Sequence, residues 1–171
     1  SRRTVHNITF GGGHEDGLRS GTVNVAAAVS LAKSLRLSQE KVEEIKVNHK
    51  EYKKLIVDEF SKYKHIVINS PLSENFVDSI VNISLPKIKG EVIVNALNDR
   101  GIMVSTTSAC SSKTFHLNEA LYARGLSKEN IEGSIRVSFS YETTKEEVEK
   151  FIEVFIDEYN KKFKEVIESG I

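Results

Sequence analysis

The sequence has a single cysteine, Cys110, in 171 residues. That scarcity excludes an internal disulfide, a Cys-x-x-Cys pair and a cysteine-rich zinc site. Neither sign of charge is in surplus, because 24 Lys and Arg balance 24 Asp and Glu. No net field is therefore available to hold nucleic acid or an acidic membrane surface non-specifically. Only 2 prolines are present, with 28% charged and 39% hydrophobic residues, the composition of a folded globular chain. No apolar run approaches the roughly 18 residues of a membrane helix. Ser1-Arg2-Arg3-Thr4 is basic but is not followed by the apolar stretch of a secretion signal. Reducing cytoplasm, where a lone thiol persists, is the expected compartment. There is no internal repeat and no obvious linker, so one domain is the better expectation, burying roughly 70% of its unfolded surface.

Periodicity supplies the elements. Ile8-Thr9-Phe10 runs into the loop Gly11-Gly12-Gly13, and Asn24 to Leu37, Ala-rich and apolar on most sides, reads as a well-buried helix start. From Gln39 to Phe60 the apolar residues recur at helical steps, nearly continuous with the segment before. Ile66–Ile68, Ser79–Leu85, Ile102–Val104 and Ser134–Ser140 read as strands, with Ile135, Val137 and Phe139 facing away from Arg136. Helices are expected at Gly90–Arg100, closed by Gly101, and at Phe115–Arg124, closed by Gly125. Thr144 and Glu147 form a capping box before a last long helix. The alternation predicts an α/β or α+β layer, helices packed on a small mixed sheet.

Candidate chemistry sits in three places. The stretch from Gly11 to Thr22 fails both the P-loop and the dinucleotide templates. Ser20-Gly21-Thr22 before a helix suits either an anion or a plain N-cap and loop. Cys110 stands among small hydroxyl residues, the setting of an accessible thiol, either nucleophilic or inert, with His116 nearby in sequence. Arg136, on the strand face away from the core pattern, is either a carboxylate fork or a solvated arginine. The five histidines show no zinc spacing.

In order, these stretches resemble the cysteine desulfurases of the class V aminotransferase family. The carrying segments are Gly11–Thr22, Ser105-Thr106-Thr107-Ser108-Ala109-Cys110-Ser111-Ser112, and Gly133–Ser140 with Thr143–Glu147. The resemblance runs from about His6 to about Phe155. It implies the aspartate-aminotransferase type of fold, a homodimer, and pyridoxal phosphate as cofactor of the whole protein. The implied activity takes sulfur from L-cysteine, leaving L-alanine and a persulfide, and passes it to acceptors such as iron–sulfur cluster scaffolds. On this reading Cys110 is the nucleophile, Arg136 holds the substrate carboxylate, and Thr22 reaches the cofactor phosphate of the other subunit. Residues 1–37 would lead out of a large cofactor domain, and 38–171 would be the small domain with its cysteine loop at 105–115. No metal, nucleic acid or membrane is implied.

Two departures accompany the resemblance. Thr107 stands where many members have glycine. The family's cofactor-anchoring lysine, in a Ser-x-His-Lys stretch ahead of the glycine motif, is not in this chain, nor is the Asp that faces the cofactor's ring nitrogen. His49-Lys50 offers the dipeptide within an amphipathic helix and is read as unrelated. These 171 residues alone are therefore expected to hold no cofactor and to be inactive. A sulfur-carrier and interaction module is the alternative from another class; a selenocysteine lyase or aminotransferase-like paralogue is a third.

Overall fold

The computed structural model describes residues 6–106 and 119–169. It forms two compact units, Ser1–Val42 and Glu43–Ile171. In the first, a chain of turns leads to the start of a long helix, α1 (Val25–Phe60). Asn24 is the cap: its Oδ1 accepts from the Ala27 amide at 3.0 Å. The helical segment before Gln39 and the one after it are one helix, since neither proline nor glycine interrupts the run.

Among the described residues the second unit holds four strands, β1 (Val67–Ile68), β2 (Ile80–Ser84), β3 (Ser105–Thr106) and β4 (Ser134–Ser138), in the order β1-β2-β4-β3. Every pairing among the described residues is antiparallel, where a mixed sheet is expected from the sequence. The expected third strand at Ile102–Val104 is also displaced: those residues are outside the ladder, which is seen at Ser105–Thr106. The cause lies one turn upstream. Gly101 takes φ +76 after α2 (Gly90–Asn98), and the Ile102 amide bonds back to the Leu97 carbonyl at 3.0 Å. Residues 102–104 are spent leaving the helix before they reach the sheet.

On one sheet face, Val81 and Ile83 stand opposite Val137 and Ile135, all buried. Ile56 and Phe60 of α1, Ile93 and Leu97 of α2, and Phe151 and Phe155 of α5 (Lys145–Glu158) cover them. Phe60 packs its ring 4.7 Å from that of Phe155. Each such side chain contributes about 1.5–3 kcal/mol by burial. The capping box of α5 forms as expected, with reciprocal Thr144 and Glu147 bonds at 3.3 and 2.9 Å. A π-turn, Tyr159–Phe163, then interrupts the last helix before α6 (Lys164–Ser169).

Two short helices, α3 (Glu119–Ala123) and α4 (Lys128–Glu132), precede β4. The periodicity does not reveal α4, which is barely more than a turn; its signal is the Ser127 cap, accepting from the Asn130 amide at 3.2 Å. The chain passes from α4 into β4 through Gly133, where a Cβ would meet the Leu85 carbonyl oxygen at 2.2 Å. Only glycine lets β4 enter beside the Leu85–Ile88 turn.

Candidate functional site

Arg136 is the central residue of β4, opposite Asn82 of β2 and Ser105 of β3. Directly opposed residues share a face, so Asn82, Arg136 and Ser105 form a row across three strands. The Asn82 amide donates to Ser70 Oγ at 2.8 Å, and its carbonyl accepts from the Asn69 amide at 2.9 Å. Both groups point away from β4. Asn82 and Arg136 are therefore a non-hydrogen-bonded pair, the kind in which side chains come nearest, and the Arg136 backbone turns to Ser105.

The Asn82 carboxamide is engaged through both its oxygen and its nitrogen. Its Oδ1 accepts from Asn69 Nδ2 at 2.7 Å and its Nδ2 donates to the Ile135 carbonyl at 3.0 Å. Asn69 Nδ2 also reaches Ser84 Oγ at 2.6 Å, and that hydroxyl donates to the Asn130 carbonyl at 2.6 Å. This buried network grips the peptide joining Ile135 to Arg136 and leaves the arginine itself exposed. Sequence reasoning missed it. The available signal was Asn82 and Ser84, polar residues at alternate positions of an otherwise apolar strand.

Arg136 forms no ion pair with any described residue, and a guanidinium fork is the shape that takes a carboxylate by two parallel bonds. Its partner strand β3 ends at Thr106. The stretch containing Cys110 follows directly, and Cys110 and His116 lie outside the described residues. Thr22 is exposed in the first unit. There Arg19 donates to the Thr22 carbonyl at 3.4 Å, and Ser20 Oγ braces the turn against the Gly12 carbonyl at 2.8 Å. A hydroxyl and a guanidinium within one turn match the donors a phosphate group takes. His49-Lys50 lies within α1, where His49 is buried with Nε2 3.1 Å from the Ser140 carbonyl oxygen.

Other charged groups brace the frame. Lys53 is fully buried and donates to the Val77 carbonyl at 3.0 Å. Burial pushes its ammonium below the usual lysine range, and Asp78, 4.0 Å away, offsets only part of that. Glu158, also buried, pairs with Lys162 at 2.6 Å and Arg100 at 2.9 Å. These contacts, Lys162 first, hold its carboxyl below the ordinary glutamate value against the opposing effect of burial. A cleft of about 550 Å³ opens between residues 101–104 and α5, lined by Met103, Phe139, Val148 and Phe151. Arg136 is not among its walls.

The family described as Aminotransferase class-V matches residues 3–151. The chain belongs to that family. Among class V relatives, the NifS/IcsS protein homolog of Lactobacillus delbrueckii subsp. bulgaricus is 38% identical over 92% of this chain. The protein named cysteine desulfurase IscS from Ehrlichia chaffeensis is 32% identical over 88% of it. A solved NifS-like protein superimposes with a TM-score of 0.77 at 28% identity, covering 91% of the chain. The corresponding shares of these three proteins are 41%, 36% and 39%, so the chain spans about two fifths of their length. Among the described residues no helix is long and apolar enough to cross a membrane, and no group of three His, Cys, Asp or Glu gathers as a metal site.

Proposed function

We propose that this chain is part of a pyridoxal-phosphate-dependent cysteine desulfurase, with Cys110 as nucleophile, Arg136 as carboxylate fork and Thr22 as a phosphate ligand. The observation that carries the reading is the row in which Arg136 pairs with β3, the strand leading straight into the Cys110 stretch. The names of the class V relatives support it. Arg136 would bind the α-carboxylate of L-cysteine through two parallel hydrogen bonds, fixing the amino acid relative to β3. The Cys110 thiolate would attack the substrate Sγ. An S–S bond forms, the Cβ–Sγ bond breaks, and its electron pair stays with carbon. That carbon takes a proton, so L-cysteine and a thiol become L-alanine and a persulfide. Pyridoxal phosphate, when bound, supplies the electron sink that makes the step accessible.

In the whole protein a second copy would present Thr22 to its partner's cofactor, making the homodimer the working unit, with iron–sulfur scaffolds among the sulfur acceptors. The 171 residues alone lack the anchoring lysine and would release no sulfide from L-cysteine. The decisive experiment is the intact mass of the chain after a small persulfide donor, with Cys110→Ser beside it. One added sulfur atom on the native chain only is expected. No addition, or equal addition to the serine variant, sinks the assignment of Cys110.

A further inference from the structure

Strand β2 spends two of its five positions, Asn82 and Ser84, on buried polar side chains. A buried carboxamide costs stability unless both of its ends are paired, and here the pairing has a direction. The Ile135 carbonyl can only accept a hydrogen bond, so it fixes which end of the Asn82 carboxamide faces β4. The oxygen is thereby turned to Asn69, just past β1, whose Nδ2 donates to it. Asn69 is itself buried, and the same nitrogen also donates to Ser84 Oγ. One line of bonds thus runs from Asn69 through Asn82 to the peptide from which Arg136 projects.

Arg136 is also the residue directly opposite Asn82. In a non-hydrogen-bonded antiparallel pair the Cα atoms stand about 4.5 Å apart and the side chains are neighbours. A loose Asn82 oxygen would be an acceptor at the arginine's side, and an aspartate in its place would be a full counter-charge. Asn69 occupies that oxygen, and the amide is neutral. The position opposite the fork is therefore polar enough to grip β4 but presents no charge to the guanidinium.

We infer that Asn82, held by Asn69, is a positioning residue for Arg136: it fixes the peptide behind the guanidinium and keeps a neutral amide where a carboxylate would compete with the ligand's. This role rests on Arg136 being the carboxylate fork, and neither asparagine is asked to touch substrate.

The test uses the full 171-residue chain, isotope-labelled in nitrogen, with acetate as the carboxylate and chloride at equal ionic strength as the blank. The Arg136 Nε–H signal, identified by its loss in Arg136→Lys, is followed by NMR. In the native chain acetate should move it about threefold further than the signal of Arg19, an exposed arginine of the first unit. Asn82→Asp should displace the signal before any acetate is added and cut its acetate response about fivefold, the scale of one ion pair. Asn69→Ala, which releases the Asn82 oxygen, should cut the response about twofold. Ser84→Ala removes the other bond of Asn69 and spares the line to Ile135, so it should lower the urea midpoint while the acetate response stays native. A native shift and response in both asparagine variants, or a response lost equally in Ser84→Ala, overturns the positioning role alone. A native Arg136 signal that answers acetate no more than Arg19 does overturns the carboxylate-fork reading, and this role with it.

Discussion

The two ends of α1 share a helix but live in different surroundings. From Glu43 onward its inward face carries His49, Tyr52, Lys53, Ile56 and Phe60, all buried. Between Val25 and Val42 every side chain is exposed, including Val29, Leu31 and Leu35, so the expectation of a well-buried helix start over Asn24–Leu37 does not hold. Composition does not separate the halves, since both contain apolar residues at helical steps. The core makes the difference: Ile56 and Phe60 belong to one buried cluster with residues of β2, β4 and α5, whereas Leu31 and Leu35 are exposed and outside it. Apolar periodicity predicts a helix, and only a partner converts that stripe into stability.

The largest expected break in this contrast is Phe60→Ala, which should cost about 3–5 kcal/mol, measured by urea unfolding of the second unit. Next is Gly133→Ala. Its new Cβ is directed at the Leu85 carbonyl oxygen, and a loss of about 1–3 kcal/mol is expected from the forced backbone shift. Glu158→Gln should follow, at about 1–2 kcal/mol near neutral pH. Because the folded carboxyl titrates below its ordinary value, its contribution is complete above the unfolded pKa and disappears as pH falls through the folded one. The glutamine variant should therefore show a flatter acid limb in stability-versus-pH profiles; an unchanged slope would refute the pairing with Lys162 and Arg100. Smallest of all, Leu31→Ala should shift the same urea transition by less than about 0.5 kcal/mol. A drop comparable to that of Phe60→Ala would mean that the first half of α1 does have a packing partner.

Much of the architecture was legible because it is local. Alternation located β2 and β4, and the Thr144–Glu147 pair marked the start of α5. What escaped was non-local or too short to be periodic. Strand direction depends on how distant segments meet, and nothing within Ser134–Ser138 says that β4 inserts between β2 and β3. Helix α4 has only Ser127 to announce it. At the candidate site Arg136 was found because it breaks the core pattern of its strand. Asn82 was overlooked because its work, gripping the peptide before Arg136, becomes visible only when Asn69 arrives from β1's end.

The π-turn at Tyr159–Phe163 sits in the middle of a buried stripe. Phe155, Tyr159, Phe163 and Ile167 are all buried and all four residues apart. In a regular helix each such step advances about 40° around the axis, so three of them would carry Ile167 about 120° off the core. The wider turn absorbs that rotation. It acts as a vernier, letting the tail of the chain carry one residue more than a regular helix needs. Deleting a single residue from Asn160–Lys162 would space the same apolar side chains by three and four, the ordinary helical stripe. The end of this domain is therefore a place where chain length can change by one while the buried face stays in phase.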